Sequence, residues 1–440
     1  MGDLVRNHVT VGIVGGGVAG LALAKMLEMS GISYRLWESH HRFAPLAGAS
    51  VGVLPNGLRI LDQLGMINAI NQYNVKRQVW EHRDANGKLH ASFNPGAVME
   101  EKLGYGGVLM ERHHLLRILH ESIDDKTKLF SSKRVVSVLQ ADSGATIVAD
   151  DGSQLACEIL AGADGVKSVV RREIEKDTMS RSENPDFQFD ARFVCVWGIS
   201  DPVSSIGPGR SFTIYRPGVS LLVFSGHGGV TSWFVTREIQ AGEASRQFSE
   251  QESQALCGQV ADVTVTDGIK FAAILRKRRF TIMTALEEGL AERFFSGRLF
   301  LLGDSAHKMV PHGAMGANQA LESAAAFTNL LRPLVSQTRM GGMRTILSRP
   351  EVESCLSQYE KRRRDRAAAV LRASRLGCRA HLKIGPESEA YWSNLHQMTS
   401  SEGIAKMLTS MCSAEKLADW DGGSSNVKVY TSFARAQQAD

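Results

Sequence analysis

The chain has 440 residues, 43% hydrophobic and 22% charged, which suits a globular protein of two or three domains with a sizeable core. Its net charge of +5 is mild for that length, and no basic run carries interleaved aromatics, so small anionic molecules are better expected partners than nucleic acid. The six cysteines, Cys157, Cys195, Cys257, Cys355, Cys378 and Cys412, share no metal-ligand or redox spacing; reduced, mostly buried thiols are expected, and a disulfide scaffold is excluded.

The opening Met1-Gly2-Asp3-Leu4-Val5-Arg6 leads into a strand without an apolar signal core, and Arg6 stands where a myristoylation site needs Ser or Thr. No stretch reaches ~18 uninterrupted apolar residues, so no transmembrane segment is expected and a cytoplasmic chain follows. Val9, Val11, Ile13 and Val14 form an apolar run of buried-strand type. Residues 21 to 29 have helical spacing with Gly31 as stop, and Tyr34 to Trp37 make a second strand ending at Glu38. Between the first strand and the helix lies Gly15-Gly16-Gly17-Val18-Ala19-Gly20. Gly15 permits the tight turn, Gly17 lets backbone approach a pyrophosphate, and Gly20 lets the helix pack close to the sheet. The helix N-terminus offers N–H donors to phosphate, and Glu38 stands where a carboxylate accepts hydrogen bonds from a ribose. This pattern points to a dinucleotide without separating FAD from NAD.

Residues 56 to 71 read as a helix, with Leu58, Leu61, Leu64 and Ile67 on one face. Residues 75 to 93 read as a hairpin turning at Asn86-Gly87, and residues 111 to 122 as a helix. Residues 133 to 160 alternate as antiparallel strands with a turn near Asp150-Asp151-Gly152. In Ala161-Gly162-Ala163-Asp164-Gly165 an Asp-Gly closes a strand, with Ser168 and Arg171 in a helix start; alone, this is equally a capping arrangement. Two-residue alternation from 187 to 237 reads as an antiparallel sheet set between two α/β stretches. Trp197, Phe212, Phe224, Trp233 and Phe234 either line an aromatic pocket there or fill the sheet core. A buried strand, Leu299 to Leu302, delivers Asp304 to a turn, where its carboxylate can accept from a ribityl hydroxyl. Gly316 and Ala317 open a helix whose N–H groups can meet a phosphate or a flavin pyrimidine, and Asn318 can cap or bind.

His307 is expected as a structural turn residue bonding backbone, and His312 beside the same motif without a general-base role. The adjacent His113 and His114 are expected to point apart on a helix, and no metal site is expected. The rest is mostly helical. Tyr359 to Arg375 carries Arg on one side and Ala, Val and Leu on the other, which reads as a solvated helix face. The last ~20 residues read as a loose tail.

The three motifs, around Gly15, Asp164 and Asp304, resemble the group A flavoprotein monooxygenases of the para-hydroxybenzoate hydroxylase type, over nearly the whole chain. Glu38, the run from Gly48 through Pro55-Asn56-Gly57-Leu58-Arg59 to Leu61, and Glu111-Arg112 look more closely like the fungal paxilline-type FAD monooxygenases of indole-terpenoid, meroterpenoid and prenylated indole alkaloid biosynthesis. The resemblance implies an α/β fold: a Rossmann-like FAD-binding domain with an inserted antiparallel-sheet substrate domain and a helical C-terminus. The expected FAD-binding parts are 1–74, 99–180 and 285–345; the substrate parts are 75–98 and 181–284; the C-terminal region is 346–440.

By that resemblance FAD contacts fall at Glu38, Gly52, Arg112, Asp304 and Ala317, and the residue chemistry adds Gly15, Gly17, Gly20, Asp164 and Gly316. Arg112 can reach phosphate or ribityl oxygens as a fixed cation, and Gly52 lets a strand pass close to the isoalloxazine. The chain departs from the usual Pro-x-x-Gly-x-Gly at Ala314, which fits only with a negative φ.

The implied reaction uses NADPH or NADH as a transient reductant of FAD and delivers one oxygen atom from the flavin 4a-hydroperoxide. Catalytic Arg and Tyr on the inserted sheet fall, by resemblance, on Arg192 and Tyr215. An arginine there can stabilise developing negative charge but is no base, and a tyrosine can orient substrate or share a proton. A solvated edge arginine and a packing tyrosine are the structural alternatives. The expected substrate is a prenylated indole alkaloid or related terpenoid, epoxidised at the indole double bond and collapsing to a hydroxylated or spiro-oxindole product. Epoxidation of an indole-diterpene or meroterpenoid prenyl chain, phenol hydroxylation, and a non-oxygenating flavin-fold reductase or binding module are the alternatives. A monomer or weak dimer is expected.

Overall fold

The computed structural model describes residues 8–439 except 47, 76–78, 177–184, 188, 245, 340–345 and 421–423. The Met1–Arg6 opening and the boundaries expected at 180/181 and 345/346 lie outside the described residues.

The strand His8–Val14 is buried along nearly its whole length because both neighbours pair with it in parallel. These are Gln154–Gly162 and Tyr34–Trp37; Leu299–Leu301 and Leu129–Phe130 extend the sheet on either side. Gly144–Ala149 and Val135–Ala141 add an antiparallel wing that turns at Asp150-Asp151-Gly152. Helix Val18–Met29 covers the sheet with Leu21, Leu23, Met26 and Leu27 fully buried. Its close approach depends on glycine: a Cβ on Gly20 would collide with the Gly15 carbonyl oxygen. The 24-residue helix Gly316–Arg339 packs on the same core through Ala324, Ala325 and Phe327.

The second sheet runs in the order His307–Lys308, Arg278–Leu290, Asp190–Ser200, Thr231–Glu238, Val219–Ser225, Arg210–Tyr215, Val79–Asp84, Leu89–Phe93. The Asn86-Gly87 hairpin therefore joins the later strands, pairing Val79–Asp84 in parallel with Arg210–Tyr215. Its two faces divide the aromatics. Phe212 and Trp233 fill a core closed by helices Glu250–Gly258 and Phe271–Leu275, where Trp233 Nε1 donates to Ser200 Oγ at 3.0 Å. Phe224 and Phe234 face the other way, into a cavity. The fold is thus α/β, with an antiparallel layer inserted into a Rossmann-like domain and a helical C-terminal region.

Three local expectations change. The helix expected over 56–71 is two, Pro55–Gln63 and Ile67–Asn71, because Gly65 takes φ +79° between them. The arginine face of the 33-residue helix Arg349–His381 is only partly solvated. Arg363 is fully buried, 2.8 Å from the fully buried Glu322, which also accepts from Arg366 Nε at 2.5 Å and Asn56 Nδ2 at 2.7 Å. The loose tail is instead a helix, Ser425–Ala439. Tyr430 anchors it, fully buried, with its hydroxyl donating to the Met411 carbonyl and its ring 3.9 Å beneath the Arg59 guanidinium. A composition of Gly, Ser and Gln hid one aromatic anchor.

Candidate active site

A cavity of about 450 Å³ lies between the inner face of the second sheet and the loops that open helices Val18–Met29 and Gly316–Arg339. Both helices direct unsatisfied N–H groups and positive dipole ends toward it. Gly17 is the N-cap of the first, and a Cβ on it would meet only Arg112 Nη2, at 3.9 Å. A Cβ on Gly316 would meet nothing within 4 Å. Each turn thus presents bare backbone to open space, a cradle for phosphate or a ring edge.

The charged residues of this end are arranged around that cradle. Glu38 is buried and holds the glycine turn, accepting from Gly16 N at 2.6 Å and His40 N at 2.7 Å. Asp304 pairs with Lys308 at 2.6 Å; burial pushes its pKa up, but Lys308 and Arg112 outweigh that and hold it below its usual value. Arg112, at the start of helix Arg112–Ser122, makes no side-chain hydrogen bond or ion pair with any described residue. Burial lowers its pKa, with Asp304 and Glu38 pulling the other way through space. A partly buried guanidinium without a partner, beside two helix N-termini, is a site for an anion. Gly52, on the short strand pair Ser50–Val53 and Val108–Glu111, lines the wall, and Ala317 lines it with Gly316.

Asp164 has a different job. Its carboxylate accepts from Ser168 Oγ at 2.5 Å and Val169 N at 2.7 Å, so it caps the helix start, and it does not line the cavity. Gly165 beside it does, with φ +75°. Arg192 also stands apart: just over a third exposed, it lies 3.6 Å from Glu288 and does not line the cavity. The bulge between Ala191 and Phe193 sets its direction. Tyr215 is fully buried one layer behind the wall, its hydroxyl 2.8 Å from His82 Nδ1.

Residues 8–374 match a family model described as an FAD binding domain. The chain belongs to that family. It is 31% identical over 382 residues to FAD-dependent monooxygenase andE of Emericella variicolor, covering 85% of this chain and 80% of that protein. It is 32% identical over 383 residues to FAD-dependent monooxygenase janM of Penicillium janthinellum, covering 86% and 79%. Among solved structures, HpxO of Klebsiella pneumoniae complexed with FAD and uric acid superposes with a TM-score of 0.74 at 22% identity, covering 92% of this chain and 97% of that one. CtdE in complex with FAD and a substrate gives 0.70 at 16% identity, covering 89% and 98%. The protein is an FAD-dependent monooxygenase, and the bare glycine turns, the helix N-termini and the unpaired Arg112 suit its cofactor.

In this monooxygenase Ala314 adopts φ +51°, against the negative φ expected of it. The turn Pro311–Gly313 ends in this left-handed residue, whose N–H donates to the Pro311 carbonyl at 2.9 Å and whose carbonyl accepts from Asn318 Nδ2 at 2.7 Å. The loop therefore keeps the path a glycine takes, at the steric cost of a Cβ. His307 is structural as expected, although its partner is a side chain, Ser323 Oγ at 2.9 Å.

The cavity is also lined by residues the sequence reading did not single out: His82, His381 and Tyr391, beside His312. They come from a hairpin strand, a helix C-terminus and the short helix Pro386–Ser393, so no local spacing joins them. Burial pushes the pKa of His82 and His312 down to about 4 and that of His381 well below its ordinary value. All three are neutral imidazoles at ordinary pH.

Proposed function

We propose that this monooxygenase oxygenates a prenylated indole alkaloid or a related terpenoid, with NADPH or NADH as transient reductant. When bound, FAD supplies the activated oxygen. The observation that carries the reading is the wall facing the glycine turns: Trp80, Leu222, Phe224 and Phe234 give it an apolar, aromatic surface, and none of the described residues that line it from strands Val79–Asp84, Arg210–Tyr215, Val219–Ser225 and Thr231–Glu238 is a cation or a carboxylate. Such a surface suits a neutral polycyclic substrate and excludes water from the reacting edge.

The chain's own residues divide the work. The turn at Gly15, Gly17 and Gly20 takes the pyrophosphate, and Glu38 the adenosine ribose. Arg112 neutralises phosphate charge, and Asp304, kept ionised by Lys308, accepts from a ribityl hydroxyl. Gly52, Gly316 and Ala317 bring backbone against the ring system, with the Gly316 helix favouring negative charge at its N-terminus. Asp164 acts indirectly by fixing the turn from Gly165 to Val169. Tyr215 is a positioning residue, reaching the cavity through His82. Arg192, paired toward Glu288 at a bulge of an interior strand, fits a structural role better than a catalytic one.

The test is turnover by FAD-loaded enzyme with NADPH and oxygen over a panel of prenylated indoles. The expected product carries one added oxygen atom. NADPH consumption that yields only hydrogen peroxide across the panel would overturn the substrate class.

A further inference from the structure

On one part of the cavity wall three imidazoles and a phenol converge. His82, His312, His381 and Tyr391 line it, and Tyr215 lies directly behind. His312 and His381 have ring centroids 5.3 Å apart. Both ring nitrogens of His312, and Nδ1 of the largely buried His381, have no hydrogen-bond partner among the described residues. Buried polar atoms are nearly always paired, so three orphans on one cavity wall mark a place for a ligand's polar group.

The neighbouring groups are fixed in place. The Tyr215 hydroxyl meets His82 Nδ1 at 2.8 Å. Trp392 packs on Tyr215 with centroids 4.3 Å apart. The segment after helix Arg349–His381 is tied to the sheet by main chain: Arg216 N donates to His381 O at 3.3 Å and Gly218 N to Leu382 O at 3.0 Å. His381 and Tyr391 both lie beyond the matched family domain, which ends at residue 374. This part of the wall is thus made partly by a chain segment that the shared domain does not dictate.

We infer that this part of the wall is a polar subsite for a neutral group that donates and accepts hydrogen bonds side by side, of the secondary amide or lactam kind, and that His381 and Tyr391 set the substrate specificity. Each neutral imidazole offers one donor and one acceptor, which matches an N–H beside a C=O. Among the described residues that line the cavity the cations are Arg112 and Lys308, the latter paired with Asp304 at 2.6 Å, and neither bonds to these four side chains, so a carboxylate finds no cation among them. This deepens the proposed function and rests on its placement of the reacting edge, although lactam recognition can be tested without an indole.

FAD-loaded protein labelled with carbon-13 at the histidine ring Cε1 is titrated with 2-piperidone and with N-methyl-2-piperidone, its resonances assigned from single His→Phe variants. The His312 and His381 signals are expected to shift saturably with 2-piperidone and at least ten-fold more weakly with the N-methyl compound. H381F and Y391F, with FAD content unchanged, are each expected to reduce that preference below three-fold. No saturable response to 2-piperidone, or an equal response to both probes, overturns the subsite; so does a preference that survives in both variants. A parallel turnover assay uses a prenylated indole bearing a lactam and its N-methyl counterpart. Protein that answers the lactam probe but oxygenates neither indole keeps the subsite and loses the indole reading. Protein that oxygenates both equally loses the subsite and keeps that reading.

Discussion

Replacing Arg112 with methionine separates a cofactor-binding role from a structural one, because the two predict opposite effects. Arg112 has no hydrogen-bonding or ion-pair partner among the described residues, while its nearest carboxylates are engaged elsewhere, Asp304 by Lys308 at 2.6 Å and Glu38 by Gly16 N at 2.6 Å. Removing the guanidinium therefore breaks no internal bond and relieves a desolvated charge. FAD-stripped R112M is expected to be as stable as the parent or more so, by up to ~2 kcal/mol, since an unpaired charge is costly to desolvate. The loaded protein loses a charge-assisted hydrogen bond to the cofactor, worth about 1.5–3 kcal/mol. At about 1.4 kcal/mol per tenfold, that weakens FAD binding roughly 10- to 150-fold. Urea unfolding of the stripped protein gives the first quantity and FAD fluorescence titration the second. A stripped variant destabilised by more than ~2 kcal/mol, with FAD affinity within about two-fold of the parent, refutes this reasoning.

Three further outcomes follow from the packing. A314G removes a left-handed alanine and is expected to raise stability by roughly 0.5–1 kcal/mol, because relief of a ~1–2 kcal/mol steric cost exceeds the added unfolded-state entropy of glycine; a lowered urea midpoint contradicts this. R363M leaves Glu322 buried without its 2.8 Å partner and should cost ~3–5 kcal/mol, with E322Q/R363M recovering only part, because Arg366 and Asn56 also bond Glu322; equal stabilities of R363M and the parent in urea would count against that network. Burial holds His82 and His307 near pKa 4, below the unfolded value of about 6.5, so the unfolded chain takes up protons first as pH falls. Stability is therefore full above about pH 6.5 and declines toward pH 4, by ~1.4 kcal/mol per pH unit for each histidine, and H307Q should flatten the slope by that amount. An H307Q profile parallel to the parent's would show that His307 is not held neutral.

The cofactor half of the molecule was legible because its signals are local. Gly15, Gly17 and Gly20 lie within six residues, and the strand, helix and strand around them repeat the hydrophobic periods of their burial. Asp304 and Gly316 likewise sit at the ends of strongly patterned elements. The substrate half was read only as a sheet. Alternation gave its strands, but not which face meets the cavity; that depends on the helices that cover Phe212 and Trp233 and leave Phe224 and Phe234 open. The bulge beside Arg192 turned an expected catalytic side chain toward Glu288. His82, His381 and Tyr391 were invisible for a different reason: they are separated by some 300 residues of chain and brought together by the docking of the C-terminal segment on the hairpin at Arg216–Gly218. The Arg363–Glu322 pair was missed because helical periodicity distinguishes charged from apolar positions, not exposed charges from paired ones.

The central claim is that two helix N-termini and one unpaired arginine bind a single FAD whose ring faces an apolar wall. Titration of the stripped chain with FAD, followed by quenching of flavin fluorescence, tests it most directly. Saturation at one FAD per chain, with R112M reaching the same stoichiometry at a concentration ten-fold or more higher, is the predicted result. Absence of saturable binding by the parent, or an R112M curve superimposable on it, would contradict the account.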